Sequence, residues 1–260
     1  MFGAAPFRIP RALASASQAS PVIVCMPPHA SFQEAPLESS RSKAELLDAA
    51  ARELLHSGYA ASSLASIAAR LGLTKGALGR KFPAKKDIAW GIIDTLREVI
   101  AEESSRALEL YPHSGIRAMI RFLLAVGVRA AQEPQIAAGA VLITDRASPA
   151  FEVAEVLDGW VLALRRFLEV ALDSEELPAG TDLEELSEYI FVTNLGEAIF
   201  GARAYAPPRS TPRLRFMRVT LRYAGVADAD DLIDEVWGGF SADALEGLPT
   251  RSTLRRHSQP

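Results

Sequence analysis

The chain has 260 residues, 49% of them hydrophobic, with 28 Lys and Arg against 32 Asp and Glu and a formal net charge of −4. That length allows two domains and a sizeable core, and the acidic balance argues against a general nucleic-acid binder. The one cysteine, Cys25, excludes an internal disulfide and a cysteine metal cage, so a reducing, cytoplasmic setting is expected.

Residues 1–40 are rich in Ala, Pro and Ser without a sustained period, and a disordered extension is expected there. Its apolar run, Val22 to Met26, is shorter than the core of a signal peptide and is followed by Pro27 and Pro28. No stretch approaches the roughly 18 apolar residues that span a membrane. From Ser42 to His56, Leu47, Ala50, Ala51 and Leu54 recur at helical spacing and predict a first helix. Leu64, Ile67, Ala68 and Leu71 line one face of a second, which Gly72 stops because glycine tolerates the left-handed conformation of a sharp corner. Thr74 then caps a third helix from Lys75 to Phe82, closed by Pro83. Two short helices joined by a glycine-containing turn match the helix-turn-helix unit that sets its second helix in the DNA major groove.

In that third helix Leu78 and Phe82 stand four apart and anchor an inner face, leaving Lys75, Gly79, Arg80 and Lys81 outside. Arg and Lys donate to guanine edges or phosphates, while Gly76 and Gly79 remove bulk so that backbone can approach a duplex. A solvated basic face is the plainer alternative for the same residues. The charge distribution favours DNA: Ser39 to Trp90 holds nine Lys or Arg against four Asp or Glu, and Gly91 to Phe240 holds 14 against 24. A basic module on an acidic body suits local contact with phosphates.

The remaining pattern is helical. A long helix is expected from Lys85 to about Leu110, with Ile88, Trp90 and Ile92 packing on the first domain and later residues on the body, so that it can transmit movement between them. Ser114 caps a helix to Glu133 whose apolar side carries Ile116, Ile120, Leu123, Leu124 and Val128. Pro134 opens a short helix through Asp145, and Pro149 another through about Asp173. Thr181 and Glu184 have capping-box spacing ahead of a helix from Leu183 to Ala204. Pro212 starts a helix stopped by Gly225, and Asp228 leads into one reaching Gly239 or beyond. The expected fold class is all-α, with a three-helix helix-turn-helix DNA-binding domain at 41–88, a helical ligand-binding and dimerisation domain at 89–247 and a flexible tail at 248–260. Ile190, Phe191, Val192, Leu195, Ile199 and Phe200 make the Leu183 to Ala204 helix apolar nearly all round, so it is buried on several sides, one of which can be a subunit interface. Its partner there would be Pro212 to Tyr223 or Asp230 to Phe240.

Leu46 to Ile88 carries Gly58-Tyr59, Ser63-Leu64, Ile67-Ala68, Gly72-Leu73-Thr74-Lys75-Gly76-Ala77-Leu78 and Phe82-Pro83-Ala84-Lys85-Lys86. In these residues it resembles the DNA-binding domain of TetR-type one-component regulators. The resemblance implies a homodimer on a two-fold symmetric double-stranded operator, a four-helix dimer interface, and a Lys85 that holds a phosphate together with nearby amides. The candidate DNA-contacting set is Ser63, Thr74, Lys75, Gly76, Gly79, Arg80, Lys81 and Lys85. Gly79 stands where the family usually has an aromatic residue, so one phosphate contact is missing.

The body is similar to the receptors for γ-butyrolactone signalling molecules of actinobacteria, in Gln135-Ile136-Ala137-Ala138-Gly139-Ala140-Val141-Leu142, Trp160, Leu177 and Asn194-Leu195-Gly196. That likeness implies that Trp160 lines an effector pocket; ordinary core is the alternative. Leu142, Thr144, Tyr189, Thr193 and Asn194 complete the candidate ligand-binding set, although Val141 replaces an arginine common in those receptors. Asp230-Asp231-Leu232-Ile233-Asp234 matches the magnesium-binding pattern of terpenoid enzymes, but acids at a helix start explain it more simply. His29, His56, His113 and His257 lack metal spacing, and neither a phosphate-cradling loop nor a nucleophile elbow is present. The sequence reads as a cytoplasmic, nucleoid-associated bacterial repressor, not an enzyme, needing no cofactor or metal and released by a small apolar effector. A sensor of another apolar compound, such as a drug or acyl thioester, and a constitutive DNA-binding or interaction module stay open.

Overall fold

The computed structural model describes residues 42–202 and 212–245. The expected extension at 1–40, the tail at 248–260 and the last two residues of the expected Leu183 to Ala204 helix lie outside them. Every regular element among the described residues is an α-helix: α1 (Lys43–Ala61), α2 (Leu64–Arg70), α3 (Lys75–Lys81), α4 (Lys85–Leu110), α5 (Gly115–Gln132), α6 (Pro134–Leu142), α7 (Glu155–Asp173), α8 (Leu183–Ala202), α9 (Pro212–Tyr223) and α10 (Ala229–Leu245). None of these helices is long and apolar enough to cross a membrane.

Local chemistry sets most helix starts. Ser42 and Glu45 cap α1 reciprocally, with Ser42 N–H donating to the Glu45 carboxylate at 2.7 Å and Glu45 N–H to Ser42 Oγ at 3.2 Å. Ser114 caps α5 by accepting from Arg117 N–H at 3.2 Å, and its hydroxyl donates to Glu176 across the fold. One expected start moves and one expected cap changes. The helix expected from Pro149 begins at Glu155, because the chain first turns on side chains: Ala147 N–H donates to Asp145 Oδ1 at 2.9 Å and Ala150 N–H to Ser148 Oγ at 3.2 Å. The cap of α8 is Asp182 and not Thr181: its Oδ1 accepts from Glu184 and Glu185 N–H, both at 3.0 Å, while Thr181 Oγ1 donates back to Pro178 O. The helix expected through Asp145 stops at Leu142, and α1 runs past His56 to Ala61 across a bend at Gly58, where φ is 76°.

The apolar residues form two cores that meet along α4. The first holds Leu46, Leu47, Ala50, Leu54, Ile67, Leu78 and Phe82 with Ile88, Ile92 and Ile93 of α4. It also takes in Ala138, Leu142 and Ile143 from α6 and its end. The second gathers Leu96, Val99 and Ile100 of α4 with α5, α7, α8, α9 and α10 around Phe122 and Phe167. The seam along α4 therefore falls between Ile93 and Leu96, and Ala138 and Leu142 of α6 belong to the first core. Close backbone approaches fix the helices in place. A Cβ on Gly115 would lie 2.0 Å from Phe167 O, and one on Gly139 would lie 3.0 Å from the Leu96 side chain, so α5 sits directly on α7 and α6 on α4.

Candidate nucleic-acid interface and effector site

The outward unit is assembled from caps and one glycine corner. Ser63 Oγ accepts from Ser66 N–H at 3.0 Å and Ser66 Oγ accepts from Ser63 N–H at 3.0 Å, which starts α2. Buried Glu53 of α1 accepts from Arg70 Nε at 2.9 Å, and that guanidinium holds the Glu53 carboxyl below the ordinary carboxylate range. At the corner Gly72 adopts φ 66°, Gly72 N–H donates to Ala69 O at 3.0 Å, and Leu73 N–H reaches back to Ala68 O at 2.9 Å. These two bonds satisfy the last carbonyls of α2 and turn the chain sharply. Thr74 Oγ1 then accepts from Ala77 N–H at 3.1 Å and starts α3.

As expected, α3 is anchored by Leu78, 1% exposed, and Phe82, 3% exposed; Ala77 is buried beside them. Lys75, Gly76, Arg80 and Lys81 are exposed and Gly79 is half-buried. The two glycines have no internal justification. A Cβ on Gly79 meets nothing within 4 Å, one on Gly76 meets Thr74 Oγ1 at 4.0 Å, and neither has positive φ. Each therefore costs the helix about 0.5–1 kcal/mol relative to alanine without relieving a clash.

Lys85 stands at the start of α4, where the resemblance puts it. Its Nζ donates to Tyr59 O at 2.6 Å and Ser62 O at 2.9 Å, and it lies 4.0 Å from the centroid of the Tyr59 ring. The ammonium thus ties the start of α4 to the end of α1. What the start of α4 offers an anion is its backbone N–H groups and exposed Lys86.

The candidate ligand-binding residues do not form one constellation. Trp160 is 8% exposed in the second core, edge-on to Phe191 with ring centroids 5.6 Å apart. Its Nε1 is buried without a hydrogen-bond partner. An unpaired buried donor is costly. Trp160 and buried Ile100 floor an open surface cleft of about 480 Å³ between α4 and α7, whose rim is exposed Asp94, Arg97, Glu98 and Ala101, none of which the sequence had singled out. Thr193 and Asn194 are half-buried on α8, where Asn194 Nδ2 donates to Ile190 O at 2.8 Å. Leu142, 1% exposed, belongs instead to the DNA-side core, because α6 packs there. Thr144 turns its hydroxyl back to Val141 O at 3.0 Å beyond the end of α6. Tyr189 is on the outer side of α8, 42% exposed and 5.6 Å from the Tyr223 ring. It continues there into exposed Val192, Phe216 and Val219, an apolar surface across α8 and α9.

The acidic run at the start of α10 is committed to cations of the protein itself. Asp230 accepts from Arg218 Nη1 at 2.8 Å and from Arg222, and Asp234 accepts from Arg218. Arg222 and then Arg218 hold the Asp230 carboxyl below its usual range. These guanidinium pairs occupy Asp230 and Asp234, two of the three carboxylates in the pattern.

Residues 46–89 match the family described as bacterial regulatory proteins, tetR family. Comparison with curated protein sequences gives no match. Among solved structures, a gamma-butyrolactone receptor (ArpA-like protein) aligns with a TM-score of 0.61 at 19% identity, over 79% of this chain and 96% of that one. CprB, a TetR family protein from S. coelicolor A3(2), aligns at 0.62 with 20% identity, over 79% and 96% of the two chains. SmeT, the repressor of the Stenotrophomonas maltophilia multidrug efflux pump SmeDEF, aligns at 0.54 with 18% identity, over 78% and 91%. At such identities the likeness establishes the fold, while the sequence match establishes the module at its N-terminal side. Residues 46–89 thus match the tetR family of bacterial regulatory proteins, and the chain that carries them has the fold of the TetR-type regulators it aligns with.

Proposed function

We propose that this protein is a homodimeric transcriptional repressor that a small, largely apolar effector releases from a two-fold symmetric operator. The observation that carries the reading is α3: a capped, firmly anchored helix whose outer side holds Lys75, Arg80 and Lys81 around two glycines that the fold does not need. Glycines that cost stability without an internal reason make sense where a rigid partner comes close, and a DNA groove is such a partner. Ser63 and Thr74, at the starts of α2 and α3, lie where helix N-termini approach phosphates.

Dimerisation through α8 and α9 is supported by the exposed Tyr189, Val192, Phe216, Val219 and Tyr223, since a contiguous apolar surface of this kind is rarely left in water. The choice of α9 over α10 as the partner of α8 follows from Phe216, Val219 and Tyr223. A two-fold pair presents two recognition helices to half-sites one helical turn apart, or a multiple of that.

The effector site is centred on Trp160. Its flat ring and unpaired N–H suit a compound with an apolar tail and a hydrogen-bond acceptor, a description that fits an acylated lactone or furan. The gamma-butyrolactone receptors among the similar folds favour that class over a drug of the kind that efflux regulators meet. Shifting operator occupancy by two decades requires the effector to prefer the released conformation by about 2.7 kcal/mol, within ordinary allosteric coupling.

The direct test is selection of duplexes from a genomic fragment library by the full-length protein, followed by addition of a synthetic 2-acyl-γ-butyrolactone. Enrichment of a two-fold symmetric sequence, with release by the lactone in the native protein and weaker release in Trp160→Phe, is expected. No enrichment removes the DNA reading, and enrichment without lactone release moves the effector to another class. Gly79→Ala is expected to raise unfolding stability by about 0.5–1 kcal/mol and yet weaken operator binding. Chemical denaturation and a gel shift on one preparation read both signs, and stabilisation with unchanged affinity would detach Gly79 from the DNA surface. In the double variant Val192→Glu, Val219→Glu, two charges enter the apolar surface, and sedimentation equilibrium is expected to show folded monomers. A dimer as tight as the native one would place the interface elsewhere.

A further inference from the structure

The helix-turn-helix module is attached to the body by more than α4. Beyond the shared apolar core, α6 holds α1 by hydrogen bonds at both ends. At the start of α6, Gln135 Nε2 donates to Ala44 O at 3.2 Å, and Gln135 Oε1 accepts from Thr95 Oγ1 of α4 at 3.3 Å. Just past its end, Asp145 Oδ2 accepts from Tyr59 N–H at 3.2 Å, while Asp145 Oδ1 accepts from Ala147 N–H and fixes the carboxylate in place. Start meets start and end meets end, so the two helices lie side by side in the same direction.

The second bond falls where α1 bends at Gly58, and the peptide there is held from both sides. The Tyr59 N–H goes to Asp145 of the body, and the Tyr59 carbonyl accepts from Lys85 of α4 at 2.6 Å. Fifteen residues of helix separate Ala44 from Tyr59, about 20 Å at the helical rise. One attachment point would act as a pivot, whereas two that far apart stop α1 from rotating against α6. Between them Leu46, Leu47 and Ala50 share a core with Ala138 and Leu142, so the strip is closed along its length.

We infer that Gln135 and Asp145 are positioning residues: a two-point clamp that sets the angle of the DNA-binding module on the body, and with it the half-site spacing that the dimer accepts. The inference rests on the repressor reading above and adds the residues that tune it. It also shifts the lever from α4 alone to α4 and α6 together, since a body that moves α6 carries both ends of α1 with it.

The test uses the full-length protein and three forms of the duplex that the native protein selects: native spacing, spacing altered by two base pairs, and a single half-site. The double variant Gln135→Glu, Asp145→Ala breaks the clamp at both points. Glutamate keeps an oxygen for Thr95 but loses the N–H given to Ala44, and alanine removes the carboxylate that accepts from the Tyr59 N–H. Single half-site affinity is expected to stay within about twofold of native, native-spacing affinity to fall at least about fivefold, and the preference for native over altered spacing to fall by a similar factor. An unchanged preference overturns the clamp, as does an equal loss on all three duplexes, which would mean damage to the recognition unit itself. Should the double variant fail to fold, Gln135→Glu alone, at the module's outer edge, is read in the same way. A native protein that selects no duplex would sink the repressor reading and, with it, the spacing role given to the clamp, whereas an unchanged spacing preference sinks the clamp alone.

Discussion

A helix of seven residues cannot hold itself together in water, because nucleation costs more than its few hydrogen bonds return. α3 is such a helix. It persists because Thr74 caps one end, because Leu78 and Phe82 are sunk into a core, and because Gly72 brings α2 alongside through two backbone bonds. Every other element of the module supports that arrangement: Glu53 and Arg70 brace α1 against α2, and α4 supplies Ile88, Ile92 and Ile93 as the floor. An orientation fixed this firmly suits a helix whose outer residues have to meet a rigid groove.

The same floor explains how a distant cleft can matter to α3. α4 belongs to both cores, with Ile93 on the DNA side and Leu96 on the body side, and Trp160 faces α4 across the cleft that Arg97, Glu98, Ile100 and Ala101 share. α6 packs on α4 so closely that a methyl group on Gly139 would lie 3.0 Å from the Leu96 side chain and press on it, and α6 also grips α1. A change in the cleft that displaces α4 is therefore transmitted to α6 by contact and to the module along two routes. Packed interiors respond to such pushes by switching between arrangements, since they are too dense to deform smoothly.

What could be read in the sequence was what short-range chemistry decides. Gly72, Thr74, Leu78 and Phe82 sit within eleven residues and act on one another, so the second and third helices were legible, as was the whole of α4 between Pro83 and Leu110. The start of α7 and the cap of α8 were misread where two polar side chains competed for the same role: Asp145 and Ser148 turn the chain before α7, and Asp182 caps α8 in place of Thr181. Bonds between residues far apart left no trace. Asp145 and Tyr59 are 86 positions apart and Gln135 and Ala44 are 91, and neither pair has a local pattern. The bonds from Lys85 to the Tyr59 and Ser62 carbonyls, 26 and 23 positions away, are equally hidden. In the candidate effector site, helical periodicity identified which residues are apolar but not which neighbour each would face. Leu142 went to the DNA-side core and Tyr189 to the outside, while Trp160 stayed in the body with its N–H unpaired.

The central claim is that two copies of α3 lie in the major groove, and methylation interference tests it most directly, because guanine N7 faces that groove. On the duplex the protein selects, the account predicts two patches of interfering guanines, related by a two-fold axis and separated by one helical turn or a multiple of it. A single patch, or a duplex on which major-groove methylation has no effect while the protein still binds, would contradict it.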